Sequence, residues 1–207
     1  MINWRKEKMS TPTPTPNNIK YGLKNVHYAI ATIGSDGTAT YDTPVRIPGA
    51  VNLSMEAQGE RNPFYADDIE YYTSISNEGY EGDLEIAEMP ESFEKDVLNE
   101  IEDTKKVFFE EINPEPVHFA LLFQFAGDQR AIKHVLYNCT AMRPKIEGET
   151  KESGITPKTD SLSLRASSIH VASLNKDIVK GKTKSDTDAT VDTNWFTAVQ
   201  LPVISSQ

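Results

Sequence analysis

The chain has 207 residues, enough for one domain with a substantial core and too few for two unless both are small. It carries 21 Lys and Arg against 31 Asp and Glu, a formal charge of −10, which argues against a protein that grips nucleic acid by neutralising phosphates. A single cysteine, Cys139, excludes an intrachain disulfide and with it a disulfide-stapled secreted scaffold. A reducing cytoplasm is the expected setting. No apolar run is long enough to cross a membrane, and the basic residues near the N-terminus are not followed by an apolar block, so neither a membrane partner nor a signal peptide is expected.

Residues 1–18 read as a flexible Pro/Thr-rich arm, because TPTPTP from Thr11 to Pro16 favours extended polyproline-like geometry with no core-facing side. Met9 is a plausible alternative start. Residues 19–207 are expected to form the one domain. Order begins in YGLKNVHYAIATI, where Val26, Tyr28, Ile30 and Thr32 alternate with His27, Ala29 and Ala31 ahead of the turn signal GSDG at Gly34 to Gly37. Val45 to Gln58 resumes strand character, with Pro48-Gly49 marking a bulge or an edge. Gly59 to Asp68, GERNPFYADD, reads as a loop carrying exposed or partner-facing Phe64 and Tyr65, and Ile69 to Ser76 as a further strand.

The most informative stretch is Asn77 to Ile101. Tyr80, Leu84 and Ile86 fall on one side of a period-two pattern, and Glu81, Asp83 and Glu85 on the other, the alternation of a half-buried strand. Like charges at alternate positions repel, and no lysine or arginine stands among them. Something other than local stability must favour that face. The period then changes to about 3.6: Phe93, Val97, Leu98 and Ile101 recur at helical spacing, Pro90 suits a first turn, and Glu91 and Glu94 suit the positive end of a helix dipole.

Beyond the helix, Val117 to Ala126 is apolar at nearly every position, as expected of a central strand covered on both faces, one cover being the helix. Gly127-Asp128 turns the chain, and Ala131 to Met142 returns as the partner strand. Pro144 to Asp160 reads as a charged loop, Ser161 to Val171 as one more strand, and Lys176 to Asp192 as polar and turn-rich. Trp195-Phe196, Val199 and Leu201 are expected to anchor the C-terminus on the body. The sum is mainly β: an antiparallel β-sandwich or barrel with one α-helix packed on its side.

Few residues suggest chemistry. His27, His118, His134 and His170 lie singly on predicted strands without metal-ligand pairing, and Cys139 sits in an apolar alternation. Asp67-Asp68 and Asp186, Asp188 and Asp192 lack the spacing of a calcium loop, and the glycines of NEGYEG lead into a strand, the wrong context for phosphate. Glu81, Asp83 and Glu85 share one open face with no difference in burial to separate their acidities, so they read as an acidic surface and not as a catalytic pair. The Asn52 and Asn138 sequons fall in predicted strands. No catalytic, cofactor-binding or metal-binding residue is expected.

Several of these segments together, YGLKNVHYAI, IPGAVNLS, FYADDIEYYTSISNEGYEGDLEIAEMPESFEKDVL and TPKTDSLSL, resemble the major tail protein, or tail tube protein, of long-tailed phages and prophages of Gram-positive bacteria. The resemblance runs over roughly Tyr21 to Leu201, is most specific in its central block, and leaves Met1 to Asn18 outside. It implies a virion structural protein, made in the host cytoplasm, whose subunits close into hexameric rings that stack into a tube. The implied partners are further copies of itself, the tape measure, terminator and baseplate or tip proteins, and DNA passing without specific binding. On this resemblance Glu81, Asp83 and Glu85 would line the lumen, and Phe64, Tyr65, Asp67 and Asp68 would lie in a loop against an adjacent ring. The alternative is a β-sandwich receptor- or carbohydrate-binding module of a tail tip.

Overall fold

A computed structural model describes residues 21–127, 131–146, 148 and 158–203. The expected arm, residues 1–18, lies outside the described residues, as does most of the expected loop between Pro144 and Asp160. In chain order the elements are β1 (Leu23–Ile33), β2 (Ala39–Tyr41), β3 (Val45–Arg46), β4 (Ala50–Gln58), β5 (Arg61–Ala66), β6 (Ile69–Ile75), β7 (Gly79–Ile86), α1 (Glu91–Asp96), β8 (Ile101–Glu102), β9 (Phe108–Phe109), β10 (His118–Phe125), β11 (Lys133–Ala141), β12 (Asp160–Ser167), β13 (Ile169–Val171), β14 (Lys176–Ile178), β15 (Lys180–Lys182) and α2 (Ala189–Thr193).

The main sheet runs β2-β1-β10-β11-β12-β7-β4, all antiparallel, with β15 pairing β11 and β3 pairing β1 off that path. Its two ends meet through one bent stretch. β3 pairs with β1 (His27 opposite Arg46), the chain kinks at Pro48-Gly49 with Gly49 at φ +74, and β4 then pairs with β7. The Ile47 N–H donates to the Val26 carbonyl and the Ala87 N–H to that of Gly49, carrying the hydrogen bonding across the kink. The expected bulge is therefore the corner that closes the sheet into a barrel.

Inside the barrel lie Val26, Tyr28, Leu84, Ile86, Phe119, Leu121, Leu162 and Leu164, all almost wholly buried. A second apolar cluster, built on Ala29, Ala120, Leu122, Val135, Tyr137 and Trp195, occupies the outer face of β1, β10 and β11. That gives β10 its unbroken apolar run: Phe119, Leu121 and Phe123 belong to the inner cluster, while Ala120 and Leu122 belong to the outer one. The outer cover is the C-terminal segment. The Trp195 indole N–H donates to the His134 carbonyl (3.4 Å), the Tyr137 hydroxyl to the Gln200 carbonyl (2.9 Å), and Phe196 stacks on His27 at 4.9 Å. Trp195 is thus the expected anchor, whereas Leu201 is two-fifths exposed.

The helix is shorter than its apolar spacing predicts. α1 ends at Asp96, Val97 and Leu98 are buried beyond it, and Asn99 takes a left-handed φ of 60 that turns the chain into β8. Ile101 consequently leaves the helical face and is 57% exposed. A left-handed residue stops a helix whatever the hydrophobic period continues to say, and asparagine accepts that conformation more readily than most. What α1 contributes is Phe93, fully buried and edge-on to both Tyr28 (5.1 Å) and Phe119 (5.7 Å). The Tyr28 hydroxyl, whose pKa burial pushes up to about 12, donates to Asp96 at 2.9 Å.

Two further expectations change. Gly59 to Asp68 is not a loop: it contains β5, which pairs with β6 as a separate two-stranded hairpin. Asp67 (φ 51) and Asp68 (φ 60) form its turn, the doubly left-handed geometry of a two-residue hairpin connection. The polar stretch from Lys176 holds β14, paired with β13, and β15, so Ser161 to Val171 is two strands rather than one.

Replacing Phe93 by Ala should cost about 3–5 kcal/mol of unfolding free energy, whereas Ile101→Ala should cost under about 0.5 kcal/mol. Urea titrations of both variants check the assignment, which equal losses would overturn.

Candidate functional site

The strand pairing assembles a polar face from three strands distant in sequence. β7 lies between β12 and β4, so Glu81 is flanked by Arg165 and Glu56, Asp83 by Ser163 and Ser54, and Glu85 by Ser161 and Asn52. The alternate residues Leu162, Leu164 and Leu84 point into the core, which sends all of these polar side chains outward. The repulsion expected along β7 is eased by partners that no local reading finds. The Ser163 hydroxyl donates to Asp83 (2.8 Å), the Thr159 hydroxyl donates to Glu85 (2.5 Å), and Arg165 sits directly opposite Glu81. Glu56, directly opposite Glu81 on the other side, works against this.

Two glycines permit the close strand approach. A Cβ at Gly79 would fall 2.0 Å from the Ala166 carbonyl oxygen, and one at Gly82 would fall 1.9 Å from that of Ser54. The NEGYEG glycines therefore serve strand packing. Where the outer face of β1, β10 and β11 is roofed by the C-terminal segment, Ser54, Glu56, Glu81, Asp83, Ser163 and Arg165 are exposed.

The second candidate surface is the β5–β6 hairpin, which leaves the barrel after Gln58 of β4 and returns at Gly79 of β7. Phe64, Tyr65, Ile69, Tyr71, Tyr72 and Ile75 are each more than half exposed, so the ribbon buries no core of its own. Arg61 and Glu70 form an ion pair across it at 2.7 Å. Asp67 and Asp68 stand together at the tip. Sequence reasoning found Phe64 and Tyr65 but missed Tyr71, Tyr72 and Ile75, because exposure on both faces of a ribbon leaves the same apolar pattern as burial on both.

The remaining titratable residues have structural employment. His118 Nδ1 lies 2.7 Å from Asn138 Oδ1, His170 Nδ1 lies 2.8 Å from Asp177, and His134 stacks on Phe123 at 5.2 Å. The pKa of His27 is lowered, chiefly by burial, with a hydrogen bond to the Asn25 carbonyl opposing and Arg46 adding to the shift. Asp188 caps α2 by accepting from the Thr190 and Val191 N–H groups, which lowers its pKa, and Asp192 pairs with Lys133 at 2.9 Å. Among the described residues no group of three or more His, Cys, Asp or Glu side chains is placed to hold a metal ion. Cys139 is fully buried, which pushes its thiol up to about 12.

Against this geometry, residues 9–109 match the family model of the phage tail tube protein. Over those residues, just under half of the chain, the sequence is similar to the phage tail tube protein family. The match supports a structural role in the virion tail. The matched region takes in β1 to β9, α1, the hairpin and two of the three strands of the polar face, and it stops before β10. It begins at Met9, so residues 9–18 fall inside the match although the resemblance read from the sequence leaves Met1 to Asn18 outside, while TPKTDSLSL, counted in that resemblance, lies outside the match. No curated protein matches the chain.

Alkaline pH should destabilise the fold. Cys139, Tyr28 and Tyr137, each raised to about 12 chiefly by burial, hold their protons in the fold beyond the pH at which the unfolded chain releases them. Their contribution is complete below about pH 8 and is lost as pH rises through about 12. Thermal melts from pH 7 to 11 should show a falling midpoint, and a flat profile would contradict the burial.

Proposed function

We propose that this chain is the repeating subunit of the tail tube, closing into hexameric rings that stack, with the outward polar face of β12, β7 and β4 lining the lumen. The observation that carries the reading is that unroofed face. It is covered with short polar side chains and holds four carboxylates, Glu56, Glu81, Asp83 and Glu85, against one guanidinium, Arg165. Six chains at −10 bring roughly −60 in formal charge to one ring, so double-stranded DNA sliding through during ejection meets repulsion rather than adhesion.

The same charge opposes ring closure, which sheet edges and apolar contacts must therefore supply. β4 is hydrogen-bonded to β7 on one side, and past the kink its other edge is available for pairing with a neighbour. The aromatic hairpin provides apolar surface toward an adjacent ring. The tape measure, terminator and baseplate or tip proteins are the partners such a tube requires.

Negative-stain images of the purified protein across salt and concentration should show rings and tubes; their absence throughout would end the reading. Phe64→Ser with Tyr65→Ser should leave the melting temperature within about 2 °C, since both side chains are exposed, and should block polymerisation. A neutralised face, Glu81→Gln, Asp83→Asn and Glu85→Gln, should assemble at lower salt than the parent because less repulsion needs screening. An unchanged salt requirement would remove that face from the lumen.

A further inference from the structure

We infer that the TPTPTP segment of one copy, Thr11 to Pro16, adds as an edge strand to the open side of β4 in a neighbouring copy, an assignment that rests on the tube reading above and names the strand that β4 receives. In an extended chain the backbone N–H groups point alternately to the two sides. Thr11, Thr13 and Thr15 therefore present their donors on one side, and Pro12, Pro14 and Pro16, which have none, all fall on the other. Each threonine precedes a proline, which holds it in the extended region and lowers the cost of ordering the strand. A segment of this kind joins a sheet through its threonine side only, and its proline side admits no further strand.

β4 is the edge that lacks such a cover. It is nine residues long, β7 pairs with one side of it, and among the described residues nothing pairs with the other. Val51 stands 51% exposed on it. A long open edge invites uncontrolled pairing unless a specific strand takes it. The opposite end of the sheet, β2, has three residues and is too short to be its counterpart in a ring. A strand added at the edge extends the sheet sideways and covers none of Glu81, Asp83 or Ser163, so the polar face stays open.

The place where the described chain begins favours exchange between copies. The Gly127 N–H donates to the Tyr21 carbonyl at 2.9 Å, so the backbone at Tyr21 still follows the line of β1 along β10. A chain continued along that line, counted outward from the hydrogen bond of the Ile47 N–H to the Val26 carbonyl, brings Pro16 level with Ala57 and carries the rest of TPTPTP past Gln58, where its own β4 ends. The segment overshoots its own edge and is left for another's. Run antiparallel to a neighbour's β4, it brings Lys8 to the Gln58 end, where Glu60 is exposed. Each copy then gives one strand and receives one, the heterologous contact that closes a ring.

The test uses the full chain, with electron microscopy and sedimentation read after thermal melts confirm an unchanged barrel. Thr13→Pro with Thr15→Pro removes two donors from the pairing side and should raise the concentration needed for rings by about tenfold or more. Pro12→Ala with Pro14→Ala restores donors only on the far side and should assemble at or below the parent's concentration. Parent-like assembly by the threonine variant makes the segment a spacer, and equal losses in both variants point to a contact with the proline rings; either result overturns the strand assignment and leaves the tube reading standing. Oxidising an equimolar mixture of Thr11→Cys and Ala57→Cys proteins should join the two variants covalently, the native Cys139 being buried. A chain carrying both substitutions that closes on itself as a monomer overturns the exchange between copies. A parent that never forms rings overturns the tube reading and this inference with it.

Discussion

The architecture depends on one corner. At Pro48-Gly49 a single stretch of chain leaves β1 and joins β7, so that the two ends of the sheet are joined at that corner while β4 beyond it is hydrogen-bonded on one side. Proline removes a ladder donor and glycine supplies the positive φ, and neither requirement is met by an ordinary strand residue. Closure creates an interior, and the interior dictates which alternate residues of β7, β4 and β12 must point away from it. The outward direction of the β7 carboxylates follows from that parity.

Outside the barrel the two halves of the wall are treated differently. Along β1, β10 and β11 the outer residues are apolar and lie beneath Trp195 and its neighbours; along β12, β7 and β4 they are polar and open. On the proposed tube reading this asymmetry would seal one wall and leave the other facing a wide aqueous space without attracting what passes there.

Much of this was legible in the residues. The alternation of Tyr80, Leu84 and Ile86 with three acids located β7 and its two faces, the unbroken apolar run marked β10 as a central strand covered on both sides, and Pro48-Gly49 marked a bulge or an edge where the structure has the corner. Three things were not legible. The helix was read too long because hydrophobic spacing carries no information about a left-handed asparagine at position 99. The β5 strand was read as loop because Asn62 and Pro63 are turn formers and no burial imposed alternation on the rest. The partners of the acidic row, Ser163, Thr159 and Arg165, lie roughly eighty positions away, and only the sheet register brings them alongside.

The hairpin bears on how a polymer of these subunits would begin. A ribbon with no buried face keeps much of its conformational freedom in the isolated subunit, and a neighbour that grips it must overcome the entropy of ordering it. The first such contacts are the most costly, because nothing yet repays them cooperatively, whereas each later subunit meets a surface already set. Growth of that kind has a slow start and a fast continuation. In a tube of these subunits it would keep a crowded pool apart until a pre-ordered platform appeared, and would make the platform, rather than the pool, the place where length and direction are decided.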